Sequence, residues 1–227
     1  MDIKYYIRPN YGFDEEDKHT VAYSVGVARF ILQPGVKDND TFTYFARHLK
    51  DIECDITNPD YIIRVKHILH NTPFIIIATH KDQDKEFGDR VVGYLHLKYI
   101  SIPDDEAKKL DITLGAPDLN AGVDLGMIVD PEYHGKGIGK TLMQCAIENF
   151  KIMNEERESN FRIIWPDSDG KINKPLKDLR SIGIYNDPTI YLSVMKNNTP
   201  AINLYKNFNF EFTNENETDY FMERTVI

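Results

Sequence analysis

The chain of 227 residues predicts a mixed α+β protein, and three observations carry that reading. In several segments apolar residues recur at three- and four-residue spacing, as on the buried face of a helix. Elsewhere the apolar residues form short unbroken runs, above all Phe74-Ile75-Ile76-Ile77-Ala78-Thr79, as in buried strands. One junction joins the two patterns: an apolar strand opens through Gly135-Lys136-Gly137-Ile138-Gly139 into a helical period.

In chain order, Ile3 to Arg8 reads as a strand stopped by Pro9-Asn10. Past the acidic run Asp14 to Asp17, Val21, Val25, Ala28 and Ile31 predict a helix. A second helix over Thr41 to Leu49 puts Phe42, Phe45, Ala46 and Leu49 on one face. Asn58-Pro59 supplies a cap and first turn for a third, through Ile62, Val65, Ile68 and Leu69. Phe74–Thr79 and Val91–Ile100, joined by the charged turn Lys81 to Arg90, predict an antiparallel hairpin. Ser101 to Ala121 is a loop or short insertion. Val123 to Val129 is a strand, and Ile138, Leu142, Cys145, Ala146, Phe150 and Met153 mark the helix beyond the glycines. The polar stretch 155–189, with Trp165, Asp167, Lys171, Lys174 and Lys177, reads as an insertion that either shapes an acceptor pocket or is a solvated loop. Val194 ends a strand, and Thr199-Pro200 starts a helix with Ala201, Leu204, Tyr205 and Phe208 on one face. Two strands close the chain, Phe208–Thr213 and Tyr220–Thr225, about a polar turn at 214–217. The expectation is one domain over 1–227.

Composition narrows the function. With 41% hydrophobic and 28% charged residues the chain reads as soluble and globular. It has no apolar run long enough to span a membrane. A net charge of −9 and a pI near 5.3 argue against a nucleic-acid binder and suit a cationic, amine-bearing substrate. Cys54 and Cys145 do not form a disulfide framework, and Met1-Asp2-Ile3-Lys4 lacks the basic-then-apolar order of a signal peptide. A cytoplasmic protein is expected, with the nucleus left open. No Cys/His cluster suggests a metal, and no Ser-His-Asp pattern suggests a hydrolase.

The glycine junction carries the chemistry. A strand turning into a helix presents several backbone N–H groups at the positive end of the helix dipole, a site for phosphate or pyrophosphate. Two phosphate-binding patterns compete. Gly139-Lys140-Thr141 supply the end of a P-loop, but His134 stands where that loop needs its first glycine. The alternative is stronger. Val129-Asp130-Pro131-Glu132-Tyr133-His134-Gly135-Lys136-Gly137-Ile138-Gly139 resembles the cofactor motif of the GNAT N-acetyltransferases, [RQ]-x-x-G-x-[GA] after a strand ending V-x-P, with His134 where Arg or Gln is usual. Farther on, Leu192, Val194, Asn198, Ala201, Leu204, Tyr205 and Phe210 fall in register with that family's second motif, and Asn209 replaces its glycine. Asn tolerates the left-handed conformation better than most residues. The resemblance covers about 122–150 and 190–225.

It implies a largely antiparallel twisted sheet flanked by helices and splayed at the cofactor site. It also implies direct transfer of acetyl from acetyl-CoA to an amine. The implied roles follow residue by residue. Backbone amides from His134, Gly135, Lys136, Gly137, Ile138, Gly139 and Lys140 would hold the pyrophosphate. Met127, Ile128 and Val129 would pair with the pantetheine arm as an added strand does, and Asn198 would hydrogen-bond it. Tyr205 holds the general-acid position, a phenol of pKa about 10 facing a thiolate of about 8.5. Asp124 and His96 are both candidates for the base, beside a water chain. The acceptor is read as a small-molecule amine, with a protein or peptide as the alternative. A non-catalytic acetyl-CoA-binding module and a P-loop-like nucleotide binder stand as readings of another class. Dimers are common in the family, which leaves a homodimer open.

Overall fold

The computed structural model describes residues 2–9, 18–36, 45, 48–70, 72, 74–81, 89–101, 120–161 and 188–226. The strands are β1 (Ile3–Pro9), β2 (Phe74–His80), β3 (Arg90–Ser101), β4 (Asn120–Val129), β5 (Thr189–Met195), β6 (Glu211–Glu215) and β7 (Asp219–Thr225). The helices are α1 (Lys18–Ile31), α2 (Pro59–His70), α3 (Ile138–Phe161) and α4 (Thr199–Asn207). The strands form one seven-stranded sheet in the order β1-β2-β3-β4-β5-β7-β6, in which β4 and β5 run parallel and the other registered pairs antiparallel. This is the mixed α+β, mostly antiparallel architecture that the sequence predicts.

Contacts gather into two compact units, each assembled from separate stretches of chain. The first comprises Met1–Lys98, Leu125–Ala146 and Pro200–Leu204. Here β2 lies between β1 and β3 and is covered on both faces. Ile75 and Ile77, with Val91 and Tyr94 of β3, join the core built by Val27, Phe30 and Ile31 of α1 and Tyr61, Val65 and Leu69 of α2. On the opposite face Ile138 and Leu142 of α3 lie against Gly93, where an added Cβ would come within 3.0 Å and 3.2 Å of them. A strand buried on both faces has no polar side to alternate with. That is why Phe74 to Ala78 is an unbroken apolar run. The predicted hairpin is present, with a register irregularity at Ala78/Thr79.

The predicted start of α2 holds: Asn58 Oδ1 accepts from Asp60 N–H at 3.1 Å, and Pro59 opens the helix. Of the expected helix over 41–49, Phe45, His48 and Leu49 are described and are helical, and Phe45 and Leu49 are buried. Its other positions and the acidic run 14–17 lie outside the described residues.

The second unit comprises Tyr99–Asp124, Ile147–Thr199 and Tyr205–Ile227. Along β4 and β5, of ten and seven residues, two pairs are registered in parallel, Val123 with Ile190 and Asp124 with Tyr191. β7 pairs with β5 along its whole length and with β6 on its other side. Two boundaries differ from the sequence reading. Helix α3 runs on to Phe161 rather than giving way to a loop at 155, because Glu155, Glu156, Arg157 and Glu158 are good helix formers without any apolar period. The remainder of that stretch through 187, with Trp165 and its lysines, lies outside the described residues, as does 102–119. Strand β6 starts at Glu211 rather than 208, because residues 208–210 close α4.

That closure is a Schellman motif. Phe210 N–H donates to the Tyr205 carbonyl at 3.1 Å and Asn209 N–H to the Lys206 carbonyl at 2.9 Å. Asn209 takes the left-handed turn with φ 58°, as its place in the sequence predicts. The accompanying apolar contact is Phe210 on Tyr205, with ring centroids 5.9 Å apart. Arg224 of β7 adds an Nη1 donor to the Phe208 carbonyl at 2.6 Å.

Among the described residues no helix is long and apolar enough to cross a membrane, and no group of His, Cys, Asp and Glu side chains could hold a metal ion.

Candidate functional site

The end of β4 alternates between two packed layers, as a strand's period of two requires. Ile128 packs toward the α1/α2 core, and the Met127 and Val129 side chains approach Gly139 at the start of α3. The chain then makes a single 3-10 turn, Pro131–Tyr133, and passes through His134 to Lys136 into α3. Gly135 and Gly137 have φ of 73° and 81°, a region in which a β-carbon is strained. A Cβ on either would meet nothing within 4 Å, so an approaching group can reach the backbone. Gly139 differs: its φ is not positive, and a Cβ there would make ordinary contact with Leu204, Met127 and Val129 at 3.4–3.8 Å. The first hydrogen bond of α3 runs from Thr141 N–H to the Gly137 carbonyl at 3.1 Å. The amides of Ile138, Gly139 and Lys140 are therefore first-turn donors that the helix does not use. The Gly135–Lys140 segment thus forms a cradle of open backbone amides at a helix N-terminus, the kind of geometry that suits an anion.

The segment before the cradle is held from several sides. Asp130 N–H donates to the Val92 carbonyl of β3 at 3.0 Å. The Asp130 Oδ1 accepts from Glu132 N–H at 2.9 Å and so caps the 3-10 turn. Arg90 Nη2 donates to Asp130 Oδ2 at 2.6 Å and to Glu132 Oε2 at 2.9 Å. The buried Tyr133 shares a 2.9 Å hydrogen bond with His80 Nδ1 of β2, and its ring lies under the ammonium of Lys136 at 4.4 Å. Lys136 Nζ also donates to the Glu132 carbonyl at 2.8 Å. Gly35, in the turn leaving α1, lies so close to Pro131 that an added Cβ would be 3.0 Å from its ring. His134, exposed, turns its Nε2–H back onto the Val129 carbonyl at 2.9 Å. The ring therefore braces the exit of β4.

Of the residues singled out by sequence, His96, Met127, Ile128, Val129 and His134 to Lys140 fall together in the first unit, whereas Asp124, Asn198 and Tyr205 belong to the second. His96 is 3% exposed, and its ring lies against β4 at Gly126, where a Cβ would come within 2.8 Å of Nε2. Burial, with the Lys98 charge as a smaller cause, pushes its pKa down to about 4. It is thus neutral at physiological pH and a weaker base than a free imidazole. In the second unit Asp124 is exposed on β4 and registered opposite Tyr191. Asn198 is half-buried between β5 and α4, its N–H donating to the Met195 carbonyl at 2.9 Å. Tyr205 is buried, and burial pushes its pKa up to about 12. Sequence reasoning missed Arg90, His80 and Tyr133. No spacing signals them, since only the register of β2, β3 and β4 brings residues 40 and 53 positions apart into contact.

A family model described as "Acetyltransferase (GNAT) domain" matches residues 74–212, well over half the chain and parts of both units. Among solved structures, a GNAT-family acetyltransferase from Streptococcus pneumoniae is 12% identical with a TM-score of 0.49, each chain covered in full. Arabidopsis thaliana NAA60 in complex with acetyl-CoA is 14% identical with a TM-score of 0.46, covering 98% of this chain and 99% of its own. The putative acetyltransferase yncA from Salmonella typhimurium, with acetyl-CoA, is 14% identical with a TM-score of 0.45, covering 98% and 94%. At such distance these likenesses bear no argument about the site. No curated protein sequence matches the chain.

Two outcomes are expected from the local geometry. Gly135→Ala and Gly137→Ala should each lose about 1–2 kcal/mol in urea unfolding, because both require a left-handed φ, while Gly139→Ala should stay within about 0.5 kcal/mol. A Gly139→Ala loss as large as the others would contradict the assigned backbone. The depressed pKa of His96 makes stability depend on pH. Its folded value lies below its ordinary 6.5, so between those values the unfolded chain takes up the proton first. Stability should be fully present above pH 6.5 and fall by up to about 3 kcal/mol as pH drops toward 4. His96→Gln should lack that component, and parallel pH profiles for the two proteins would refute the assignment.

Proposed function

This chain belongs to the GNAT family of acetyl-CoA-dependent N-acetyltransferases, and from that premise we propose that its acceptor is the primary amine of a small molecule, attacking the thioester directly. The reading treats the two units as parts of one acetyltransferase domain, since the family match runs through both. The observation that supports cofactor binding here is the backbone cradle, with two open glycines at positive φ at the head of α3. The support for a cationic acceptor is the acidic balance of the chain, a net charge of −9.

Acetyl-CoA supplies the acetyl group as a thioester. The amides of Gly135 to Lys140 hold its pyrophosphate, and the backbone of Met127 to Val129 aligns the pantetheine arm and polarises the acetyl carbonyl through one N–H. Asn198 hydrogen-bonds the same arm. Tyr205 keeps its proton throughout the working pH range, since burial raises its pKa to about 12. At that value full transfer to a thiolate of about 8.5 is uphill. Tyr205 therefore acts by donating a hydrogen bond to the departing sulfur, with solvent completing the protonation. For the base, Asp124 or a chain of ordered water fits better than His96, whose burial has already lowered its proton affinity.

Calorimetric titration with acetyl-CoA beside Mg-ATP tests the cofactor half, and a P-loop-like nucleotide binder would respond to ATP alone. Free-thiol release on a panel of small amines and of peptides tests the acceptor half. Turnover on peptides only would replace the small-molecule reading, and binding without turnover on any amine would mean an idle module. Tyr205→Phe should lower kcat by about 10- to 100-fold while acetyl-CoA affinity changes less than twofold. An unchanged kcat removes Tyr205 from the reaction.

A further inference from the structure

The segment that leads into the cradle is acidic where it should not be. Asp130 and Glu132 stand immediately before the amides that must receive a doubly charged pyrophosphate, and carboxylates beside an anion site repel the ligand. Asp130 is buried, whereas Glu132 is exposed and is tied in through its ion pair. Asp130 is 2% exposed, and its Oδ1 is needed to cap the 3-10 turn. The Glu132 carboxylate shares with Asp130 a single partner, Arg90 Nη2, at 2.9 Å and 2.6 Å. Arg90 enters from β3 at the mouth of the β2–β3 hairpin, and its guanidinium also lies 5.5 Å from the Tyr133 ring centre. The nearby ammonium of Lys136 is engaged elsewhere, on the Glu132 carbonyl and the Tyr133 ring. Among the described residues, one cation thus balances two carboxylates at the approach to the cradle.

We propose that Arg90 is a positioning residue that sets acetyl-CoA affinity. It fixes the 3-10 turn and screens Asp130 and Glu132, so that the cradle presents its amides without an uncompensated negative field. This rests on the reading of Gly135 to Lys140 as the pyrophosphate site. The role is carried through ground-state binding, so kcat at saturating acetyl-CoA is not where it acts.

The test is a charge cycle on the full chain: Arg90→Met, Arg90→Lys, Glu132→Gln and the double variant Arg90→Met/Glu132→Gln. Each is measured for acetyl-CoA Kd by calorimetry, for kcat at saturation and for thermal midpoint. Arg90→Met should weaken acetyl-CoA by about 10- to 30-fold with kcat within about twofold. Adding Glu132→Gln should recover at least about threefold of that loss, and Arg90→Lys should fall between wild type and Arg90→Met. Glu132→Gln alone should tighten binding by about two- to fivefold, which keeps the proposal testable if Arg90→Met does not fold. An unchanged Kd in Arg90→Met overturns it. So does a loss that Glu132→Gln leaves untouched and that lowers kcat equally, which would mark Arg90 as a scaffold residue alone. Wild-type protein that binds no acetyl-CoA would instead refute the reading of the cradle itself.

Discussion

The buried carboxylate of Asp130 is the point at which the sheet and the glycine turn are joined. Three of its atoms are committed in different directions: the N–H to the Val92 carbonyl, Oδ1 to the Glu132 N–H and Oδ2 to Arg90. A carboxylate 2% exposed is tolerated only when its lone pairs are filled and its charge is met. Because all three bonds are made, the direction in which the chain leaves β4 is fixed before the glycines begin. Pro131 then cannot continue a ladder, and its preset φ starts the 3-10 turn. The freedom of Gly135 and Gly137 is used only for the final reversal into α3, within a segment whose ends are already fixed.

Helix α3 fixes the other end by different means. Ile138, Leu142, Met143 and Ala146 are buried, and Ile138 and Leu142 settle into the space that Gly93 leaves on β3. The dipole and the spare amides at its start follow from its being a helix. What the packing adds is their immobility: the donors cannot turn away because the first apolar residue of α3 is one of the most buried in the chain. Preorganised dipoles cost no reorganisation when a charged ligand arrives. That is the physical meaning of placing the cradle between a strand and a packed helix rather than on a free loop.

Much of this was legible in sequence wherever one residue's chemistry decides its own backbone. Pro59 and Pro200 mark helix starts, Gly135 and Gly137 mark positive φ, and Asn209 takes the left-handed turn that its glycine-like position demanded. Phe74 to Ala78 announced a strand covered on both faces. Legibility ended where the cause lay at long range or in propensity. The polar end of α3 shows no apolar period in the sequence, only residues of good local helix preference. The start of β6 was misjudged because Phe208 and Phe210 serve the closure of α4 rather than a ladder. Arg90 was read as the last residue of a charged turn. Nothing in its neighbours reveals that the register of three strands sets it beside Asp130, 40 residues on.

Burial also sets the proton inventory, and it does so in opposite senses in the two units. His96 is driven down to about 4 and Tyr205 up to about 12, so each is neutral across the range in which the enzyme works. Desolvation disfavours whichever form carries charge, acid or base alike. Two chemically different groups are thereby made alike, each holding one proton. Neither His96 nor Tyr205 then supplies a charge for the transfer. An ammonium acceptor has to surrender a proton before it can attack. The rate should therefore follow the ionisation of the acceptor amine itself rather than that of His96 or Tyr205. The pH–rate profiles of two amines differing in basicity should shift by the difference between their own pKa values, since the protein contributes no titration between about 5 and 9 from either buried group.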